Sequence, residues 1–479
     1  MIAYTLYSTF VGAVIVLLAP RALARWIALA TVVAGCGIAA ITFIQTSDFA
    51  RAQTIVRVPW IPALGIDYHL AVDGISLTMA LITGLTAVSS VLFSWNVEWR
   101  QNEFFFWLLL VIGGSYGVFL SADLFLFYLF YELVIVPKYF LIATWGSTNK
   151  AYGAMKLTLY SFFGGALILV ALLAAYATGG SFDLQQLSRF HFSSQFQFWA
   201  FPTMFFGFAV LAGIWPLHTW APTGHVAAPT AGSMLLAGIV MKLGAYGAFR
   251  VAMNLFPQGF YAWRGAVAIL AVIGIVYAAA VALRQRDLKF VIGYSSVSHM
   301  GFVLLGLATA QVLGAGGAVL QMFSHGIIAG LLFAVVGRMI YERTHTRDLT
   351  VLTGLALGRA IPFAAFTFVL ASAAAMGIPG FSGFPAEITI LLGAWRGYPA
   401  LVIIAGAGMV LTAAFMLRAL TKAFFGESTT SEAAGYDPIS NAEKIGASLL
   451  LCATLAVGLF PNLLLDRILP VVQRMPWLN

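Results

Sequence analysis

The sequence predicts an all-α polytopic membrane protein of about fourteen transmembrane helices, arranged as two inverted five-helix repeats (helices 4 to 8 and 9 to 13) with helices 7 and 12 broken. Three observations carry that prediction. First, of 479 residues 61% are hydrophobic and only 9% charged, with a mean hydropathy of +0.94, which is more apolar surface than a water-soluble fold can bury. Second, apolar runs of about 18 residues or more recur from end to end, each long enough to cross roughly 30 Å of hydrocarbon as a helix. None shows the strict alternation of a β-barrel strand. Third, two of the runs are interrupted in the middle by proline and glycine.

In order, the spans cover residues 2–20, 25–44, 73–94, 104–121, 122–144, 153–177, 197–216, 230–253, 263–283, 289–309, 312–340, 359–395, 399–424 and 445–465. Span 1 lacks a basic flank and a small-residue cleavage site, so it reads as a retained helix. Segments outside the spans are short: 45–72, 178–196, 341–358 and 425–444 are the longest, and no Gly-rich phosphate loop follows a strand. The chain thus divides into 1–103 (spans 1 to 3 and an outer loop), 104–254 (first repeat), 262–425 (second repeat) and 426–479 (a loop and span 14).

The broken spans define the repeats. In span 7, "FAVLAGIWPLHTWAPTGHVAAPTAG" (208–232) should interrupt its helix near Pro216 and restart beyond it. In span 12, "SAAAMGIPGFSGFPAEITILLGAW" (372–395) does the same around Gly377 and Pro379. Irregular backbone at membrane depth is tolerated only where protein or a wet cavity covers it. Two such breaks, five spans apart and opposite in direction, are a transporter's plan.

The formal charge of +8 does not indicate a nucleic-acid partner, because the basic residues are spread over loops and form no patch. They instead set orientation. With the N-terminus outside, the odd-numbered loops carry Arg21, Arg25, Arg100, Lys150, Arg284, Arg286, Arg338, Arg343 and others, outnumbering those of the even loops by about two to one, so the odd loops are cytoplasmic and both termini face outward. Cys36 and Cys452 sit in apolar spans without metal or redox spacing.

Ionisable side chains in mid-span cost about 2.5 to 3.5 kcal/mol each on insertion scales, so each is a functional candidate. Glu132 and Lys138 lie in span 5 ("FYLFYELVIVPKYFLI"), Lys242 in span 8, His299 in span 10, His325 in span 11 and Glu387 after the break in span 12. Each also has a plainer reading. Glu132 and Lys242 can be a buried structural pair, although such a pair adds little stability. Lys138 can snorkel its charge to the nearby helix end, Glu387 can cap the restarted half-helix, and the histidines can hydrogen-bond across helices. His218 and His225 have no third ligand in sequence, so no metal is expected. Together, acids, lysines and histidines on several helices read as a proton path tuned by burial.

Five stretches then carry a resemblance: "FYELVIVPKYFLIATWG", "PLHTWAPTGHVAAPTAGSMLLAGIVMKLGAYG", "DLKFVIGYSSVSHMGFVLLG", "SHGIIAGLLFAVVGRMIYERTHTRDL" and "GIPGFSGFPAEITILLGAW". In this order they resemble the antiporter-like subunits of respiratory complex I, over about residues 73–425. The segment "ERTHTRDL" and the lack of a long C-terminal lateral helix favour the M (chain 4) type over the L type. The resemblance implies redox-driven proton pumping in the cell inner (cytoplasmic) membrane, as one subunit of a hetero-oligomer. Its neighbours would be L-type and N-type membrane-arm subunits and lipid. It implies no cofactor on this chain; NAD(H), FMN, iron–sulfur clusters and quinone belong to partner subunits. By motif, Glu132 matches the family's helix-5 glutamate, Lys242 its central helix-8 lysine, Glu387 its helix-12 acid, and His299 and His325 the histidines of the connecting hydrophilic axis.

Two departures stand against this pattern. The family's helix-7 lysine is replaced by Leu211, while Lys138 occupies a position commonly apolar. Lys138 is therefore expected to stand in for the missing cation, about 9 Å along and about 120° around an unbroken helix from Glu132. Thr223-Gly224 replaces the usual Asp-Ala pair. The alternative functions are a subunit of a multisubunit Mrp-type cation/proton antiporter, a membrane arm for a hydrogenase, and a degenerate scaffold that no longer pumps.

Overall fold

The computed structural model describes residues 1–46, 48–426 and 435–478; the part of the predicted 425–444 loop at 427–434 lies outside them. Among the described residues, eleven helices are long and apolar enough to cross a membrane: Arg21–Gln45, Gly74–Leu92, Gln101–Leu120, Leu124–Trp145, Lys150–Gly179, Thr230–Leu255, Pro257–Arg284, Leu288–Ala308, Val312–Thr344, Pro399–Phe424 and Asn441–Leu459. These are spans 2 to 6, 8 to 11, 13 and 14. Span 1 is the shorter Ala3–Leu18, and spans 7 and 12 are divided, into Ser194–Ala212 with Trp220–Ala227 and Pro362–Ala375 with Gly383–Trp395. Both divisions follow a glycine in the left-handed region, Gly213 at φ 84° and Gly377 at φ 69°, where a side chain would be strained. Pro216 and Pro379 fall in the turns that follow, where a missing N–H costs no helical bond.

Span 5 differs from its expected form. Pro137 cannot donate to the carbonyl four residues back and crowds it, so the helix is interrupted at Val134 into Leu124–Leu133 and Ile135–Trp145. The axial arithmetic for an unbroken helix therefore does not relate Glu132 to Lys138.

The layers are inverted relative to a soluble protein. Spans 3, 8, 10 and 11 are buried along most of their length, whereas spans 2 and 13 expose large apolar side chains such as Trp26, Ile44, Ile403 and Val410 to the surroundings. Segment 45–72, read from sequence only as a loop, forms an antiparallel hairpin, β1 (Gln53–Ile61) and β2 (Ile66–Val72), with Arg57 opposite His69 and Pro59 opposite Asp67. A short amphipathic helix, Asn462–Val472, follows span 14.

A second kind of repeat is visible in the turns. Asp123 and Asp183 each accept backbone N–H groups at a helix start and are bridged through Leu124 N–H to Phe182 O (2.7 Å) and Leu184 N–H to Ala122 O (3.0 Å). Asp287 and Asp348 repeat that arrangement, through Leu288 N–H to Arg347 O and Leu349 N–H to Arg286 O, both 2.9 Å. The offset from Asp123 to Asp287 also carries Gly213 to Gly377, and within one residue carries Asp183 to Asp348. Each Asp-Leu pair works because aspartate is a strong N-cap and leucine turns inward behind it.

Candidate functional site: a chain of buried polar side chains

The centre of the molecule is built on span 8. Its sequence "LLAGIVMKLGAYG" (235–247) holds a π-turn at Leu236–Val240, and another follows it at Ala248–Ala252. Such widened turns free backbone carbonyls and recur at functional positions. Lys242, fully buried, uses one of them: its Nζ donates to Ala237 O. The same Nζ lies 2.7 Å from Nδ1 of His325 on span 11. That approach depends on two glycines, because a Cβ on Gly238 would meet Gly326 O at 3.3 Å and one on Gly326 would meet Gly238 O at 2.5 Å.

From His325 the chain continues. Its ring lies over that of His299 on span 10, centroids 5.4 Å apart at 30°. His299 Nδ1 lies 3.0 Å from Oε1 of Glu387, which is 2% exposed. Gln321 Nε2 donates to the same carboxylate oxygen at 3.3 Å. Glu387 also faces the break in span 12: a Cβ on Gly377 would stand 3.0 Å from its Oε2. It does not cap the restarted helix, whose N-cap position is Ser382. Lysine, two imidazoles and a carboxylate thus form one buried series across spans 8, 11, 10 and 12. Lys242 and His325 cannot both present a proton across 2.7 Å, so the proton's place on one fixes the tautomer of the other.

The first half is arranged differently. Glu132 is half-buried and points at span 6, where Gly165 makes room: a Cβ there would overlap Oε1. That oxygen has no hydrogen-bond partner. Lys138 is 3% exposed, so it does not snorkel. Its Nζ has no hydrogen-bond partner either, and no ion pair joins it to Glu132. It lies in a small apolar chamber with Val111, Leu141, Ile142, Gly232, Leu235, Leu236 and Val240. Leu211 is buried against span 8, where a Cβ on Gly244 would come 3.1 Å from its carbonyl carbon.

His225 is fully buried, stacked 4.7 Å from Phe333, and His218 stands 5.4 Å from Tyr277; neither ring's nitrogens have a hydrogen-bond partner. Among the described residues no cluster of His, Cys, Asp or Glu could hold a metal ion. Thr223 Oγ1 accepts from Lys156 Nζ at 3.4 Å.

Several polar side chains escaped the sequence reading. Gln321 sits within an apolar run, and only its i, i+4 relation to His325 marks it. Lys289, at the start of span 10, is 3% exposed and donates to Ala228 O at 2.7 Å. Arg347, paired with Asp287 at 3.2 Å, donates to Val226 O at 3.3 Å, so two cations cover the carbonyl end of span 7. On the other face, Arg57 binds Asp67 (2.8 Å) and Asp183 (3.1 Å), with His69 Nδ1 3.4 Å from Asp183, fastening the hairpin to the first repeat. Burial pushes the Asp183 carboxyl up, but His69, the Gln186 N–H and Arg57 outweigh it and hold it below the usual range.

Comparison with known proteins adds lineage to this geometry. Residues 121–413 match the family model described as NADH:quinone oxidoreductase/Mrp antiporter, TM. The chain is 38% identical to NAD(P)H-quinone oxidoreductase chain 4 1 of Synechococcus elongatus over 92% of its own length and 84% of that protein. It is likewise 38% identical to NADH-quinone oxidoreductase subunit M of Escherichia coli (strain K12), over 88% of its length and 85% of that protein. Among solved structures, a chain of respiratory complex I from Thermus thermophilus with bound NADH superposes with a TM-score of 0.92 at 28% identity, covering 100% of this chain and 99% of that one. A chain of the Mrp complex from Dietzia sp. DQ12-45-1b, 20% identical, shares the fold with a TM-score of 0.87.

Proposed function

We propose, from the premise that this chain belongs to the NADH:quinone oxidoreductase/Mrp antiporter transmembrane family, that it is a proton-translocating membrane-arm subunit of a redox-driven NADH (or related donor):quinone oxidoreductase. The observation that carries this reading is the buried series Lys242, His325, His299 and Glu387. A lysine can hand its proton to an imidazole 2.7 Å away, the imidazoles can pass it on by tautomer exchange, and the carboxylate beside the broken span 12 is the acceptor at the far end. Both termini lie on the outer side of the cell inner membrane, and the basic loops on the cytoplasmic side. Spans 4 to 8 and 9 to 13 are inverted repeats, supported by the paired Asp-Leu bridges and the paired glycine breaks. NAD(H), FMN, iron–sulfur clusters and quinone are held by partner subunits, and L-type and N-type subunits flank this one.

Lys138 takes the part of the absent span-7 cation. It is buried, unpartnered and packed against Leu235, Leu236 and Val240, within two turns of Lys242 on the same helix. In the assembled complex, Lys138→Leu should abolish this subunit's proton translocation, and adding Leu211→Lys should restore part of it, both read as protons moved per electron pair in sealed vesicles. Unchanged translocation in Lys138→Leu overturns the assignment. Leu211 gives one observation in favour of a scaffold that no longer pumps. Glu132→Gln distinguishes the two, since an unaltered proton yield would support the scaffold.

A further inference from the structure

We infer that Ser324, Ser382 and Thr454 are positioning residues for Glu387: a row of buried hydroxyls by which span 14, outside both repeats, holds the break in span 12 in register with span 11. This rests on the reading of Glu387 as the acceptor at the far end of the buried series. All three side chains are fully buried. Ser382 Oγ lies 2.8 Å from Ser324 Oγ on span 11 and 2.8 Å from Thr454 Oγ1 on span 14. The Ser382 N–H, at the start of the restarted helix, donates to Thr454 O at 3.0 Å.

The row departs from what hydroxyls in apolar helices usually do. Their default is to donate to the carbonyl one turn back, as Thr9, Thr31, Thr78 and Ser115 do here. Ser324 and Thr454 bond across helices instead. Ser382 holds the N-cap position of Gly383–Trp395, where a serine ordinarily accepts an N–H two or three residues on. Three residues on is Pro385, which has no N–H, and Ser382 makes no side-chain capping bond. Its hydroxyl is thereby left for the neighbouring helices. A hydroxyl buried without a partner is costly, and here the three satisfy one another. One turn beyond Thr454, Gly458 extends the contact: a Cβ there would overlap Gly380 O and the backbone of Phe381.

What the row holds is the far end of the buried series. Gly383, next to Ser382, and Glu387, five residues on, wall a small chamber together with His299, Gln321 and His325. On span 11, Ser324 lies one turn from Gln321 and adjoins His325. The bond between Ser324 and Ser382 therefore ties spans 11 and 12 beside that chamber. Glu387 rides about 7.5 Å along the restarted helix from Ser382. Its 3.0 Å approach to His299 leaves hydrogen-bonding range if the helix shifts by about 1 Å. The break in span 7 is closed within its own chain, by Trp220 Nε1 donating to Val210 O at 2.8 Å.

The test uses the whole complex in sealed vesicles, reading protons moved per electron pair, with Glu387→Gln marking the level at which this subunit is blocked. Thr454→Val keeps the side chain's shape and removes its hydroxyl; this subunit's contribution should fall severalfold, and Ser382→Ala should do the same. Thr454→Ser, which keeps the hydroxyl, should restore it. Ser89→Ala is the matched control. It removes another buried hydroxyl that fastens span 14, donating to Gly446 O at 3.0 Å about two turns from Thr454, and should leave translocation unchanged. Normal translocation in an assembled Thr454→Val or Ser382→Ala complex overturns the inference. So does an equal fall in Thr454→Ser or Ser89→Ala, because loosened packing then accounts for it. Should Thr454→Val not assemble, Ser382→Ala and Ser324→Ala decide by the same measure. If Glu387→Gln blocks translocation while Thr454→Val translocates normally, the positioning role alone fails. If Glu387→Gln translocates normally, the reading of Glu387 has itself failed.

Discussion

The two halves of the molecule handle buried charge in opposite ways. In the second, Lys242, His325, His299 and Glu387 sit at contact distance, with Gln321 steadying the carboxylate. In the first, Glu132 and Lys138 stand apart, each with an atom left without a partner. A contiguous series fixes where protons can rest, because each tautomer constrains the next. Isolated groups fix nothing until water or motion joins them. The difference follows from backbone approach: glycines bring spans 8 and 11 together, whereas Pro137 divides the helix between Glu132 and Lys138.

The contrast can be broken most sharply at Lys242. Lys242→Met leaves the volume filled but removes the proton carrier, and proton transfer through this subunit should fall about a hundredfold or more, as for loss of a positioned acid–base group. Protons per electron pair in the assembled complex measure it; an unchanged ratio would remove Lys242 from the path. Gly326→Ala should next separate spans 8 and 11, costing about 1 to 3 kcal/mol of stability by overpacking. Thermal unfolding of the purified complex reads the stability cost, and slower translocation should accompany it because His325 shifts away from Lys242. Gln321→Leu removes one donor to a buried carboxylate, about 1 to 3 kcal/mol, and should slow translocation by roughly tenfold while sparing assembly. Gln321 has no counterpart in the first half, since nothing donates to Glu132 Oε1.

The smallest expected effect lies outside the spans and sharpens the likeness of the repeats. Asp183 is held below the usual carboxylate range, so its contribution is present above the unfolded value, about 3.9, and is lost as pH falls through its lower folded value. Asp348 is shifted the same way, chiefly by the hydroxyl and N–H of Thr350. Hydrogen exchange in β1 and β2 should rise below about pH 4. Asp183→Asn should raise it already at neutral pH, while Asp348→Asn, half-buried and unattached to the hairpin, should leave it unchanged.

Much of this architecture is legible in the chain. Hydropathy alone sets the spans, because a helix is the cheapest way to satisfy backbone groups in lipid. Mid-span proline and glycine, Pro216 in span 7 and Gly377 and Pro379 in span 12, mark the breaks, and the mid-span charges announce themselves by their cost. The repeated Asp-Leu pairs were equally legible and went unread, since Asp-Leu is common and only its pairing across two loops gives it meaning. The hairpin was missed because its strand pattern lies in a segment otherwise read as linker.

By itself, then, the sequence determined a membrane-embedded helical protein with two broken helices, acids, lysines and histidines within its spans, and a lysine at position 138 with a leucine at position 211. Only the tertiary structure decided which of those groups meet. It placed Lys242 against His325 and withheld Lys138 from Glu132, because contact between helices is set by where glycines let backbones approach and where a proline turns one aside. A one-dimensional pattern records the spacing along each helix and not the facing between them.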